Sequence, residues 1–454
     1  MSVAALNGSL DFSLKHSLDD LLKNPVRFRK STKSVTATPD GKYTPLNRRK
    51  GDSKQSASSK DTNAHGAAAG NTGSEKRHRS SASSNQTSGT RGEGSVELDE
   101  EDEQGFPGPA RVLFPKENIS IDWQNILPNA PGLVNLGNTC FMNSVLQLMM
   151  HTAPLVEYLL TGQHTAACRM NACVLCKMEQ HMMKAYPSKG KKRASAFKPT
   201  GIQSMLKVIA SHFRPYRQED AHEFMRYLID SWQKSCLQSF KNLDHPSRET
   251  SLIHRIFGGY LRQQITCSSC HKPSSTYQSL LDLSLEANVS NILESLSHTV
   301  ARNCKTLGGM LQKQMTVYRA PNYLTLHLKR FTFNSFHSHK ITKHVAYPEL
   351  LDLGPFMSDA NRACVYELCG VLVHAGGSTR SGHYYSFCKS SSGTWLKFDD
   401  DFVSNTSIDR VLSQQAYILL YRRKPGAKAP VQKRKGKRNS DGGSGGKHRK
   451  KVRT

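Results

Sequence analysis

The chain is short of acid. Its 454 residues hold 36 Asp and Glu against 63 Lys and Arg, a formal net charge of +27. That balance excludes an acidic surface overall and favours polyanions among its partners. The chain is also poor in apolar residues, at 37%. This lies below the ~45–50% of an ordinary globular domain, even allowing for the glycines counted in that average. Part of the chain therefore lacks the means to pack. No run approaches the roughly 18 apolar residues needed to span a bilayer. The opening MSVAALNGSLDFSLKHSLDD lacks the basic-then-apolar order of a secretory signal. These absences set aside a secreted or membrane protein. Eleven cysteines, an odd number spread along a long chain, do not make a disulfide scaffold and point instead to reduced thiols in cytosol or nucleus.

What is present is unevenly placed. Residues 422–454 carry 14 Lys and Arg with Asp441 as their one acid, and Val431 and Val452 are their only branched apolar residues. Such a segment cannot bury enough surface to offset chain entropy. A disordered basic tail is expected at 424–454. Lys433-Arg434-Lys435 and Arg449-Lys450-Lys451 suit nuclear import or contact with RNA and acidic partners. A solubilising tail without a specific partner is the plainer alternative. Residues 1–105 are expected to be mostly disordered, since from Gly51 to Ser95 the only hydrophobic residues are alanines. Within them, Phe12, Leu14, Leu18, Leu21 and Leu22 fall roughly on one face of a short helix over 11–28. A lead-in at 106–130 precedes patterned sequence that continues to 423. Helical periodicity runs through 139–159, 174–186 and 219–236. Strand-like patterns follow at 322–331, 365–374, 383–389, 394–399 and 416–421. Helices first and strands later predict an α+β protein.

Two stretches carry chemistry. In Pro131-Gly-Leu-Val-Asn135-Leu-Gly-Asn-Thr139-Cys140-Phe-Met-Asn143, a loop leads through Thr139, a good N-cap residue, into apolar periodicity. Cys140 then falls at a helix N-terminus, where unpaired N–H groups favour the nucleophilic thiolate. A cysteine that merely begins a core helix is the alternative. The second stretch, Gly382-His383-Tyr384-Tyr385 to Trp395-Leu-Lys-Phe-Asp399-Asp400, reads as a hairpin centred near 391. It sets His383 opposite 399 or 400, so a carboxylate orients the imidazole. Cys140, His383 and Asp399 then supply nucleophile, base and orienting acid for a thiol hydrolase, and the Asn135 amide could donate to an oxyanion.

The Cys and His segments resemble the two catalytic boxes of the ubiquitin-specific proteases, thiol peptidases that remove ubiquitin from proteins. Between them Gln218-Glu-Asp220-Ala-His-Glu223-Phe224, Ile256-Phe-Gly-Gly259 and Leu324 to Phe331 also match. The likeness covers about 131–423. It implies a papain-like hand of thumb, palm and fingers around ubiquitin, with ubiquitin's Gly-Gly tail between thumb and palm. By position, Cys140 is the nucleophile, His383 the base, Asp399 the third member and Asn135 the oxyanion donor, with Asp400 sharing or taking over the orienting role. Gln218, Asp220 and Glu223 stand beside the cleft, where the two carboxylates suit the arginines of ubiquitin's tail. Gly382 and Tyr384 flank the di-glycine. The resemblance implies a monomer acting on ubiquitin and ubiquitinated proteins, without cofactor or membrane. With the basic tail, it implies a nuclear enzyme, nucleolar in particular, with the cytoplasm as the alternative. An inactive ubiquitin receptor, an RNA-associated scaffold and a hydrolase of a ubiquitin-like modifier are the competing readings.

Two cysteine clusters stand apart from this chemistry, and no residue is assigned as a metal ligand. Cys267-Ser-Ser-Cys270 resembles the first knuckle of the family's fingertip zinc ribbon, but the region of the second knuckle holds only Cys304. A zinc-free fingertip is expected; His298 or His271 would be needed to complete a site. His164-x3-Cys168-x4-Cys173-x2-Cys176 has zinc-like spacing, but its cysteines would also pack as small core residues at the start of a helix. Both readings stay open.

Overall fold

A computed structural model describes residues 108–426, apart from 189–193, 301–303, 307–310, 335–336, 360–362 and 379–380. The helix expected at 11–28 and nearly all of the basic tail lie outside the described residues.

Helices come first. The periodicity over 139–159 resolves into α1 (Cys140–Met150) and α2 (Ala153–Leu160). The break falls where Thr152 is extended and Pro154 enters the first turn of α2, a position Pro tolerates because no intrahelical N–H is required there. A short α3 (Gln163–Ala167) and α4 (Val174–Ala185) follow, and then α5 (Ala221–Leu237) and α6 (Leu252–Phe257). All eleven residues of α1 are buried, because the helix is enclosed between α5 and the central sheet.

Apart from two two-stranded pairs, the described strands build two sheets. β1 (Gly259–Cys267) and β2 (Pro273–Leu280) form a hairpin, after which β3 (Leu283–Glu286) crosses to the central sheet. Helix α7 (Ile292–Thr299) leads back to β4 (Cys304–Thr306) and β5 (Leu311–Arg319). These complete a four-stranded sheet in the order β2-β1-β5-β4. The central sheet takes β6 (Tyr323–Lys329), β7 (Leu350–Asp352), β8 (Val365–Ser378), β9 (Ser381–Lys389), β10 (Trp395–Asp399), β11 (Phe402–Asn405) and β12 (Ala416–Arg423). Its order is β11-β10-β9-β8-β12-β6-β3, with β7 on β8.

The central sheet is covered on both faces, which explains the unbroken apolar run at 416–421. Ile418 and Leu420 join a core with the helices, while Leu419 and Tyr421 join a second core under α7. On β6 the alternation holds as expected: Leu324, Leu326 and Leu328 all face the second core.

Candidate active site

Cys140 begins α1 and is 2% exposed. Thr139 stands at the N-cap position but makes no side-chain cap; its hydroxyl accepts instead from the Leu136 N–H at 2.9 Å. The cap expected of Thr139 is therefore replaced by a brace within the preceding loop. The first N–H groups of α1 still lack carbonyl partners one turn back, which keeps positive potential beside the sulfur.

His383 approaches from β9. The hairpin is centred on 392, because Lys389 faces Trp395 and Ser386 faces Phe398. The ladder stops at that second pair, and the imidazole reaches Asp399 diagonally, with Nε2 2.6 Å from Oδ1. Direct opposition of His383 to 399 or 400 is thus corrected to a diagonal contact. The His383 side chain also hydrogen-bonds the Cys140 thiol, and with Nε2 on Asp399 the nitrogen left for sulfur is Nδ1. That thiol contact leads the causes that push the His383 pKa up to about 9; burial opposes the rise and Asp399 adds to it. Burial works against the Asp399 carboxylate, but Lys397 at 2.7 Å and His383 hold its pKa below the ordinary value.

Asp400 does not share this duty. Its backbone is left-handed (φ 51°), and its carboxylate turns to the Cys loop. Oδ2 accepts from Asn135 Nδ2 at 2.9 Å and Oδ1 from Asn143 Nδ2 at 2.8 Å. The shared orienting role is corrected to a brace on the Asn135 amide. Asn135 Oδ1 in turn accepts from the Gly137 and Thr139 N–H groups at 3.0 and 3.2 Å, which closes the loop ahead of the nucleophile. Gly132 lets the two segments meet: a Cβ there would lie 2.2 Å from the Asp401 carbonyl oxygen, and Leu133 N–H donates to Asp400 O at 2.8 Å.

The α5 side of the cleft is braced too. Asp220 caps α5, its Oδ1 accepting from His222 and Glu223 N–H at 2.8 and 2.9 Å, while its Oδ2 accepts from the Tyr417 hydroxyl at 2.5 Å. Glu223, one turn on, is exposed and lies 3.4 Å from His212. Gln218 Nε2 donates to the Gly382 carbonyl at 2.6 Å, tying this side to the residue before His383.

The sequence profile of the ubiquitin carboxyl-terminal hydrolases matches residues 131–421. The chain belongs to that family. It is a cysteine-type deubiquitinase. The probable ubiquitin carboxyl-terminal hydrolase 16 of Schizosaccharomyces pombe is 65% identical over 437 residues, 93% of this chain and 94% of that protein. Human ubiquitin carboxyl-terminal hydrolase 42 is 40% identical over 70% of this chain and 24% of its own length. Among solved structures, the SAGA Ubp8/Sgf11/Sus1/Sgf73 DUB module bound to ubiquitin aldehyde matches with a TM-score of 0.58 and 26% identity, over 70% of this chain and 72% of that one. In the terms of this family the helices are the thumb, the central sheet the palm and the four-stranded sheet the fingers.

The structure also places the remaining residues named from the family in this hydrolase. Tyr384 is 1% exposed and packs against His374 at 4.5 Å between ring centroids. Strand alternation places it on the face opposite His383. Gly382 does sit at the cleft, where a Cβ would lie 2.4 Å from His374 Nε2. At the fingertip, Cys267 pairs with Leu311 while Cys304 pairs with Lys313 on the far side of β5, so a whole strand separates their backbones. Lys397 and Asn143 escaped the sequence reading. Lys397 was signalled only by its position two residues from Asp399 on one strand face, and Asn143 only by lying one turn after Cys140.

Proposed function

We propose that this hydrolase is an isopeptidase that cleaves after the C-terminal glycine of ubiquitin on protein conjugates. The observation that carries the reading is the placement of one imidazole between the Cys140 thiol and the Asp399 carboxylate. Cys140 attacks the glycyl carbonyl carbon as thiolate, and a tetrahedral oxyanion forms. One N–H of the Asn135 amide is held by Asp400, which leaves the other to donate to that oxyanion. His383 gives its proton to the departing lysine amine, and the C–N bond breaks. Water, deprotonated by His383, then attacks the thioester and frees the ubiquitin carboxylate. Asp399 keeps the ring oriented and stabilises its charged form. Glu223 offers an exposed carboxylate to the arginines of the tail, Asp220 positions the start of α5, and Gln218 and Gly382 form the narrow passage above His383.

The lead-in Arg111-Val-Leu-Phe-Pro115 and the His164–Cys176 cluster resemble ubiquitin carboxyl-terminal hydrolase 36 and its near relatives. With the basic 424–454 tail, this supports a monomeric nuclear, nucleolar enzyme that meets RNA or acidic partners through the tail. The test is a panel of C-terminal electrophiles built on ubiquitin and on ubiquitin-like proteins, followed by cleavage of a lysine-linked ubiquitin conjugate. Labelling of Cys140 by the ubiquitin probe, with conjugate cleavage, is expected. Labelling by a ubiquitin-like probe alone would replace the substrate, and no labelling would leave a binding module.

A further inference from the structure

The loop ahead of Cys140 is held from two sides. On the palm side Asp400 grips the Asn135 amide. On the thumb side stands Tyr216, in the segment that enters α5, a residue the hydrolytic chemistry does not use. Its carbonyl oxygen accepts from Asn138 Nδ2 at 2.9 Å. Its ring lies over Gly137, where an added Cβ would come within 2.8 Å of Tyr216 Cδ1. A residue with a side chain does not fit under that ring. Three residues at this contact have left-handed backbones: Gly137 (φ 95°), Asn138 (φ 57°) and Tyr216 itself (φ 65°). Glycine takes up that region freely and asparagine tolerates it, but a bulky residue there is an outlier. Burial does not explain it, since Tyr216 is 70% exposed. A strained backbone that holds a ring outside the core calls for a role at the place the ring touches.

That place is the turn that carries the oxyanion donor. Asn135 Oδ1 accepts from the Gly137 and Thr139 N–H groups, so the position of Gly137 governs the Asn135 side chain. Two residues after Tyr216, Gln218 Nε2 reaches the Gly382 carbonyl beside His383. Residues 216–218 therefore touch both catalytic segments, the loop that ends in Cys140 and the strand that carries His383. Three residues before Tyr216, the buried Phe213 ring packs on Phe141 of α1 and Phe224 of α5, which anchors this bridge in the thumb. We propose that Tyr216 is a positioning residue for the oxyanion: its ring and carbonyl hold the Gly137–Asn138 turn so that the free N–H of Asn135 faces the developing charge. It touches no reacting atom and acts through Asn135, so the inference rests on Asn135 being the oxyanion donor. A donor fixed in advance needs no reorganisation as the charge develops. The gain therefore falls in the transition state and not in ground-state binding. Because the ring stands outside the core, its removal loosens the loop without emptying the interior of the thumb.

The test is steady-state kinetics of the full chain on a ubiquitin C-terminal amide, with Tyr216→Ala, Asn135→Ala and the double variant. Tyr216→Ala should lower kcat by roughly 10-fold to 10²-fold at unchanged KM, the scale set by a misplacement of about 1 Å. In the Asn135→Ala background the same substitution should change kcat by less than about twofold, because the group it positions is gone. Tyr216→Phe keeps the ring and the carbonyl and should recover most of the lost kcat. If Tyr216→Ala fails to fold, Tyr216→Gly removes the same ring and suits the left-handed backbone. Equal losses in the two backgrounds, an effect on KM alone, or the parent's kcat in a ringless variant would each overturn the proposal. In those cases a costly Asn135→Ala would still leave Asn135 as the donor. The parent's kcat in Asn135→Ala would overturn that assignment and this one together.

Discussion

His383 stands between a thiol that favours its protonated form and a protein interior that opposes it, and the thiol prevails. Its pKa moves from 6.5 up to about 9. For a group raised on folding, the stabilisation is complete below pH 6.5 and is lost as the pH rises through about 9. An NMR titration of His383 is expected to show a midpoint near 9, and Cys140→Ala should bring it down, because the leading cause is removed. A midpoint indifferent to that substitution would exclude the thiol as the cause. The same titration sets the alkaline limb of activity, since the departing amine needs a protonated ring. Asn135→Ala should lower kcat by roughly 10²–10³, about 2.7–4 kcal/mol of transition-state stabilisation. Asp400→Ala should lower it less, because the amide keeps its donors but loses its brace. Steady-state kinetics on a ubiquitin C-terminal amide separate these readings, and a change confined to KM would move Asn135 into ground-state binding. Cys140, His383 and Asn135 were legible as residues because their neighbours in sequence announce a loop, a helix start and a strand. The partner of Asp400 was not, because a left-handed backbone at one residue turned its side chain away from the strand face that periodicity predicts.

At the scale of elements, β8, β9 and β12 are joined by one carboxylate. Glu367 on β8 accepts from Lys389 of β9 at 2.9 Å and from Arg422 of β12 at 2.6 Å. Burial would raise its pKa, but these two cations together bring it from 4.5 down to about 2. For a group depressed on folding, the stabilisation is present above pH 4.5 and is lost as the pH falls through about 2. Glu367→Gln should flatten the loss of stability between those limits, as read from urea unfolding at a series of pH values. An unchanged acid slope would place the contribution elsewhere. At neutral pH the variant should also be less stable, though Glu349 and Asp122 still face Lys389 and Arg422. Elements of this kind were largely legible. The strands read from alternation appear within a few residues of where they were expected. The short helices α3 and α6 and the finger strands were not read, because three to nine residues give periodicity little length to show itself.

For the whole molecule, positive charge is densest outside the folded segment, with 14 Lys and Arg against one acid in the 33 residues from 422 to 454. Deleting 424–454 should disperse a nuclear or nucleolar signal in cells while hydrolysis of a free ubiquitin C-terminal amide stays unchanged. A distribution that ignores the deletion would reject the tail as the address. That division could be read without coordinates, as could the α+β class, the order of helices before strands and the two catalytic segments. Each rests on local composition or on period, which the chain carries wherever it goes. What tertiary structure decided was convergence across long sequence separations. A diagonal contact rather than a strand pair brought Asp399 to His383. Tyr384 went into the core because its strand is covered on both faces, and Asp400 went to Asn135 because Gly132 allows two backbones to touch. The four donors at 164–176 were visible as spacing, yet spacing could not distinguish ligands from packing. Only the fold of α3 back onto α4 brings one donor atom from each within 4.8 Å of every other, since distance in space depends on the path of the chain between residues and not on their count.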